Sequence, residues 1–141
     1  MAEVSNNPVV ASIRQEWDWV KPGIEEILHL DKNATIRPED VYHSVLSGES
    51  ALYIHDNFFV VATIDVDKYN GRRTFTLALS WAKERGGANA VTYTKFFEEL
   101  ARQYNCERIQ STSSQTPVAD YLVQKAGWEV KEITIGKDIK E

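Results

Sequence analysis

Cysteine is almost missing from this chain: Cys106 is the only one among 141 residues. A single cysteine excludes an intrachain disulfide framework and a cysteine-built zinc cluster. Histidine is nearly as scarce, and His29, His43 and His55 lie far apart without metal-ligand spacing of the HExxH kind. No apolar run approaches the roughly 18 residues of a membrane span, and the first residues show no basic-then-apolar leader pattern. Basic charge is short as well. The 16 Lys and Arg against 21 Asp and Glu give a net charge of −5, so no overall positive field draws nucleic acid or an anionic membrane. Repeats, low-complexity stretches and Pro/Ser-rich linkers are absent too. The expectation is a cytoplasmic protein without nucleic-acid or membrane partners, a single domain over residues 1–141 with a loose polar start at residues 1–7.

What is present suffices for a core, since 43% of the residues are hydrophobic and 11% aromatic. The richest stretch runs from Thr74 to Trp128. Residues 74–81 (TFTLALSW) are apolar and β-prone, and residues 83–88 (KERGGA) interrupt them with two glycines. Tyr93, Phe96, Phe97, Leu100, Ala101 and Tyr104 then recur at i, i+3, i+4, i+7, i+8 and i+11, one stripe of an amphipathic helix. A glycine turn leading from a strand into a helix is a place where backbone N–H groups and the helix dipole hold an anion. A phosphate-bearing ligand is the functional reading that follows.

Upstream, residues 9–13 (VVASI) read as a short strand, and residues 23–30 as a helical segment with Ile24, Ile27 and Leu28 on one face. Arg37-Pro38-Glu39-Asp40 signals a second helix, with proline at the first helical position, acids in the first turn and Gly48 as terminator. Residues 50–55 and 58–66 read as strands joined by a tight turn at Asp56-Asn57, and Asn70-Gly71 as a hairpin turn into residues 74–81. After the amphipathic helix come a strand at 107–111, a helix at 117–126 and a strand at 128–135. The order is β-α-α-β-β-β-α-β-α-β, a mixed α+β arrangement with one central sheet, an antiparallel meander and helices on both faces.

That order resembles the GCN5-related N-acetyltransferase (GNAT) superfamily. Ile13-Arg14, two helices, a three-strand meander, a glycine turn and a central helix follow its sequence of parts. The run Ala119-Asp120-Tyr121-Leu122-Val123-Gln124-Lys125-Ala126-Gly127-Trp128 is similar to its A-x-x-L-Y-x-K-x-G-F ending. More narrowly, the chain looks like the small, divergent GNAT-like proteins of tailed bacteriophages, which implies a host-cytoplasm or virion setting and a protein partner or virion role. The resemblance implies acetyl-CoA as cofactor, its pyrophosphate held by the family's R/Q-x-x-G-x-G/A loop. Two registers offer that loop here. Lys83-x-x-Gly86-x-Ala88 keeps the glycine but has lysine in place of Arg/Gln, whereas Arg85-x-x-Ala88-x-Ala90 keeps the arginine and loses the glycine. The cofactor-binding candidates are therefore Lys83, Arg85, Gly86, Gly87, Ala88 and Asn89. The plainer alternative is that Gly86-Gly87 only ends a strand and admits a helix.

Acetyl transfer to an amine needs a base for the ammonium proton and often an acid for the departing thiolate. The resemblance implies a glutamate on the strand before the loop and a tyrosine in the C-terminal motif. Residues 74–82 contain no acid, and Val123 stands in the tyrosine's place, with Tyr121 about 200° around the helix from it. No catalytic residue is therefore assigned. Asp65 and Asp67 flank the Asn-Gly turn, where acids are usually solvated, and Glu84 beside the glycines reads as a surface residue. Residues 111–116 (STSSQT) offer hydroxyls to a ligand or simply cap the next helix. Cys106 reads as a small buried apolar group. Trp17, Trp19, Trp81 and Trp128 read mainly as core, although Trp17 and Trp19 lie two apart and cannot share a helix face, which leaves one for a partner contact. Two functions stay open: a GNAT-like accessory or assembly protein with weakened or no catalysis, and an active acetyl-CoA-dependent N-acetyltransferase on an unknown amine.

Overall fold

The computed structural model describes residues 7–30, 34–83, 93–111, 123, 127–131 and 135–139. The meander forms where the alternating, β-branched and aromatic runs lie: β2 is Ser50–His55, β3 Phe58–Val66 and β4 Arg73–Ala82. β2 and β3 pair antiparallel around the two-residue turn at Asp56-Asn57, His55 facing Phe58, and Asp56 takes the left-handed φ of 48° that the turn requires. Between β3 and β4 the expected Asn70-Gly71 turn closes a longer loop. Asp67 Oδ1 accepts from the N–H groups of Tyr69 and Asn70 at 2.8 and 3.1 Å, and Gly71 at φ 73° donates to the Asp67 carbonyl at 2.8 Å. Asp67 thus holds the turn.

β1 (Val9–Val10) and β5 (Arg108–Ser111) complete a five-stranded sheet in sequential order. β1 is antiparallel to β2, and β5 is parallel to β4 with Thr74 opposite Arg108 and Leu77 opposite Ser111. Parallel neighbours need a crossover, which runs through α3, Thr94–Gln103. That helix ends as a Schellman motif: Asn105 at φ 59° donates to the Arg102 carbonyl and Cys106 to the Ala101 carbonyl, at 3.0 and 2.9 Å.

Helices cover both sheet faces. Phe97 and Ala101 of α3 pack with Tyr53, Phe58, Val60, Ala62, Phe75 and Leu77. On the other face, Ile13, Val20 and Ile24 of α1 (Ile13–Leu30) and Val41 of α2 (Pro38–Leu46) pack with Leu52, Phe59 and Val61. β3 lies between these layers, so its first five residues are all buried. α2 starts as its sequence signals: the Arg37 N–H donates to Asp40 Oδ2 at 2.8 Å, which holds the Asp40 carboxyl below its ordinary pKa, with the Arg37 guanidinium a lesser cause.

Three expectations change. The strand expected at 9–13 keeps only Val9–Val10 in a ladder, and the helix expected from Gly23 starts ten residues earlier, at Ile13. Ile13, Trp17, Val20 and Ile24 run at helical spacing through Pro22, and their burial outweighs the roughly 3 kcal/mol that an interior proline costs. The strand expected at 128–135 has no ladder at its described residues. Only Trp128 meets the core, while Val130 is 67% exposed and Ile135 90%, so the period-2 burial of a sheet strand is missing. The helix expected at 117–126 is described only at Val123.

Candidate functional site

β4 carries a run of alternating apolar residues that would place Phe75, Leu77, Leu79 and Trp81 on one face. The structure divides them. Val61 pairs with Leu79 and Ala62 with Leu77, so Ala78 is an extra residue, a β-bulge. Before it, Phe75 and Leu77 pack beneath α3; after it, Leu79 and Trp81 pack against α1 and α2. The bulge directly follows Leu77, which among the described residues is the last of β4 with a β5 partner. The break in the β3 ladder therefore lies beside the Leu77–Ser111 pair, towards the carboxyl side of two parallel strands, where open sheets containing parallel strands present ligand crevices. Apolar residues at an unbroken period of 2 gave no hint of the bulge.

Beyond Ala78, the β2–β3 turn and the start of α3 come to the same end of the sheet. Phe58 pairs with Ala82, and the Lys83 N–H donates to the Asn57 carbonyl at 2.7 Å, which fixes where the chain leaves β4. Phe58 stacks on Tyr93 at 5.1 Å, and the Tyr93 hydroxyl lies 3.4 Å from His55 Nδ1, which is also 3.4 Å from Asp56 Oδ2. In the sequence His55 has no neighbours at metal-ligand spacing. Its hairpin position, opposite Phe58 and so level with Ala82, is the signal that brings it to this end.

Of the cofactor candidates, Lys83 is exposed, and among the described residues only its backbone N–H is hydrogen-bonded. Arg85, Gly86, Gly87, Ala88 and Asn89 lie outside the described residues, as do Glu84 and residues 112–116. Asp65 is less solitary than its loop suggested. Thr76 Oγ1, with Thr76 only 9% exposed, donates to Asp65 Oδ2 at 2.7 Å, and Gln110 Nε2 donates to Thr76 Oγ1 at 3.3 Å. The three side chains come from adjacent strands on the face opposite α3, and Thr76 is two residues before the bulge. Asp67 is used in its loop. Cys106 packs against the α3-side core as a small half-buried group.

The tryptophans serve the core. Trp19 packs edge-on to Phe59, Trp81 stacks on Phe59 and donates to Glu26 Oε2 at 3.1 Å, and Trp128 donates to Glu98 Oε1 at 3.1 Å. Trp17 lies edge-on to Tyr42 at 4.8 Å. Trp17 and Trp19 are both half-buried, because α2 and the sheet flank α1 on adjacent sides and each takes one of them. Val123 is 42% exposed. Among the described residues no His/Cys/Asp/Glu group is arranged to hold a metal, and no helix is long and apolar enough to cross a membrane.

No protein-family profile and no curated protein matches this sequence. Solved structures do match. An acetyltransferase from Pyrococcus furiosus, described as putative by those who solved it, superimposes with a TM-score of 0.70 at 15% identity, over 94% of this chain and 100% of that one. A probable acetyltransferase gives 0.69 at 14% identity, covering 96% and 98%. An aminoglycoside N-acetyltransferase solved in complex with CoA gives 0.67 at 14% identity, covering 99% of both chains. At such identities the likeness establishes the fold, and the chain has the GNAT acetyltransferase fold.

Proposed function

We propose that this protein binds acetyl-CoA where the carboxyl ends of β4 and β5 meet the approach to α3, and that its acetyl transfer is weak or lost. The observation that carries the reading is the Ala78 bulge in β4, directly beside the Leu77–Ser111 pair of the parallel ladder. A bulged residue has backbone groups outside the strand ladder, so the donor set at this point suits a carbonyl-bearing ligand lying between the strands. The backbone N–H groups of Arg85, Gly86, Gly87, Ala88 and Asn89 take the pyrophosphate, and Lys83 or Arg85 offsets its charge. CoA bound to one solved structure of the same fold supports the choice of ligand.

Bound acetyl-CoA supplies a thioester carbon that an amine attacks, forming a C–N bond and releasing a thiolate. The chain must then remove the ammonium proton and protonate the sulfur. Residues 74–82 offer no acid and Val123 offers no proton. General acid–base groups contribute about 10²–10⁴-fold each, so transfer without them is slow. A weakened site suits an accessory or assembly role, in a phage particle on the narrower resemblance, because a fold outlives its usual chemistry. One observation favours the second reading, an active N-acetyltransferase on an amine: the hydroxyl of Thr76, two residues before the bulge, holds the Asp65 carboxylate, which can accept a proton through water. Thiol release from acetyl-CoA, measured over polyamine, amino-acid and peptide-amine panels, separates the two. Weak catalysis predicts release near the no-enzyme rate; fast release that Asp65→Asn abolishes establishes the active enzyme instead.

A further inference from the structure

At the far end of β4 from the bulge, α3 stops short of the sheet edge and a cleft of about 360 Å³ opens beside its C-terminus. Its floor is apolar: Phe75 and Ala62 are 2% and 3% exposed, with Ile64 packed beside them. Its rim is polar. Tyr53, 4% exposed, has its hydroxyl pushed up to about 12, by burial first and then by the Tyr104 phenol beside it, so the phenol stays neutral. Arg73, the first residue of β4, is half-buried at the rim, and its Nε–H donates to the Tyr104 carbonyl at 3.0 Å. The neighbouring Arg72 has Glu107 at 3.5 Å, but among the described residues no carboxylate pairs with Arg73. The bond through Nε accounts for one of its five N–H donors and leaves the terminal nitrogens for a ligand.

We propose that this cleft is a binding site for a small organic monocarboxylate with an apolar body, its carboxylate on the Arg73 guanidinium and its body on Phe75, Ile64 and Ala62. A guanidinium fork matches a carboxylate bidentately, and a bond with both partners charged is about twice as strong as a neutral one. The volume falls at the lower end of small-molecule sites, which combine an apolar lining with few polar groups in this way. Glu49 lines the same cleft and repels a second negative charge, which selects one carboxylate over two. Ser50, also in the lining, shares a 2.6 Å hydrogen bond with Ser44 in which either hydroxyl can donate. The site is separate from the proposed acetyl-CoA site, since Arg73 and Ala82 are the opposite ends of β4.

The test is calorimetric titration of the full chain with 3-phenylpropionate, and with 3-phenylpropanamide, 3-phenylpropylamine and phenylsuccinate as uncharged, cationic and dianionic comparisons. The expected result is saturable one-to-one binding of 3-phenylpropionate, with every comparison at least tenfold weaker. Arg73→Gln should weaken 3-phenylpropionate at least tenfold, and Arg73→Lys, which keeps the charge but not the fork, should fall between. Ala51→Phe narrows the cleft without touching Arg73, should weaken binding similarly, and decides the matter if Arg73→Gln does not fold. Absence of saturable 3-phenylpropionate binding overturns the proposal. So does equal binding of any comparison compound, or full affinity in Arg73→Gln or Ala51→Phe.

Discussion

Gly23 offers a test in which two physical effects have opposite signs. It lies inside α1, where replacing glycine with alanine ordinarily stabilises a helix by about 1 kcal/mol. A Cβ at this position would stand 2.7 Å from Phe59 Cε1, 2.7 Å from Trp81 Cδ2 and 3.0 Å from Trp81 Cε3. Ordinary carbon contacts begin near 3.5 Å, so the rings or the helix must retreat by most of an ångström. Neither ring yields easily. Phe59 is fully buried, and the Trp81 indole is stacked on Phe59 at 5.7 Å and held by Glu26. Overpacking of this kind costs about 1–3 kcal/mol. Subtracting the helix gain leaves a net loss of up to about 2 kcal/mol for Gly23→Ala. Equilibrium urea unfolding reads the sign directly. In a Trp81→Leu background one clashing ring is gone and the penalty should shrink, a coupling that a double-mutant cycle isolates. If Gly23→Ala instead stabilises the protein by about 1 kcal/mol, α1 does not approach the sheet this closely and the packing argument fails.

Phe97→Ala should lose about 3–5 kcal/mol in the same unfolding assay, because the ring is fully buried between α3 and the sheet. Asp40 contributes to the acid limb of stability. Its folded pKa is below the ordinary 3.8, so its contribution is present above that value and lost as pH falls through the lower folded value. Asp40→Asn should therefore flatten the dependence of the melting temperature on pH below about 4; an unchanged acid limb would remove the capping role. Val123→Tyr alone should not create robust acetyl transfer, since β4 still lacks an acid; strong thiol release from this variant would show that only the phenol was missing.

The meander and the central helix were legible because local and tertiary preferences agree there. Residues 50–55 and 58–66 matched β2 and β3, and the stripe through Phe97 and Ala101 is the buried face of α3. The start of α1 was hidden because Pro22 argues locally against a helix that Val20 and Ile24 stabilise only once they are buried. The end of β4 just before Lys83 was legible, whereas the bulge was not. Leu77 and Leu79 keep an unbroken apolar period across it, and only the two packed faces reveal the change of register. The Asp65–Thr76–Gln110 chain was hidden for a similar reason. Its members come from three strands and meet only when β3, β4 and β5 are side by side.

Calorimetric titration with acetyl-CoA tests the central claim most directly. The account predicts saturable one-to-one binding to the unaltered chain. Gly86→Val and Gly87→Val should each lose it without loss of fold by circular dichroism, because the added side chains block the close approach of a pyrophosphate to the backbone. Absence of binding to the unaltered chain, or normal affinity in both valine variants, would contradict it.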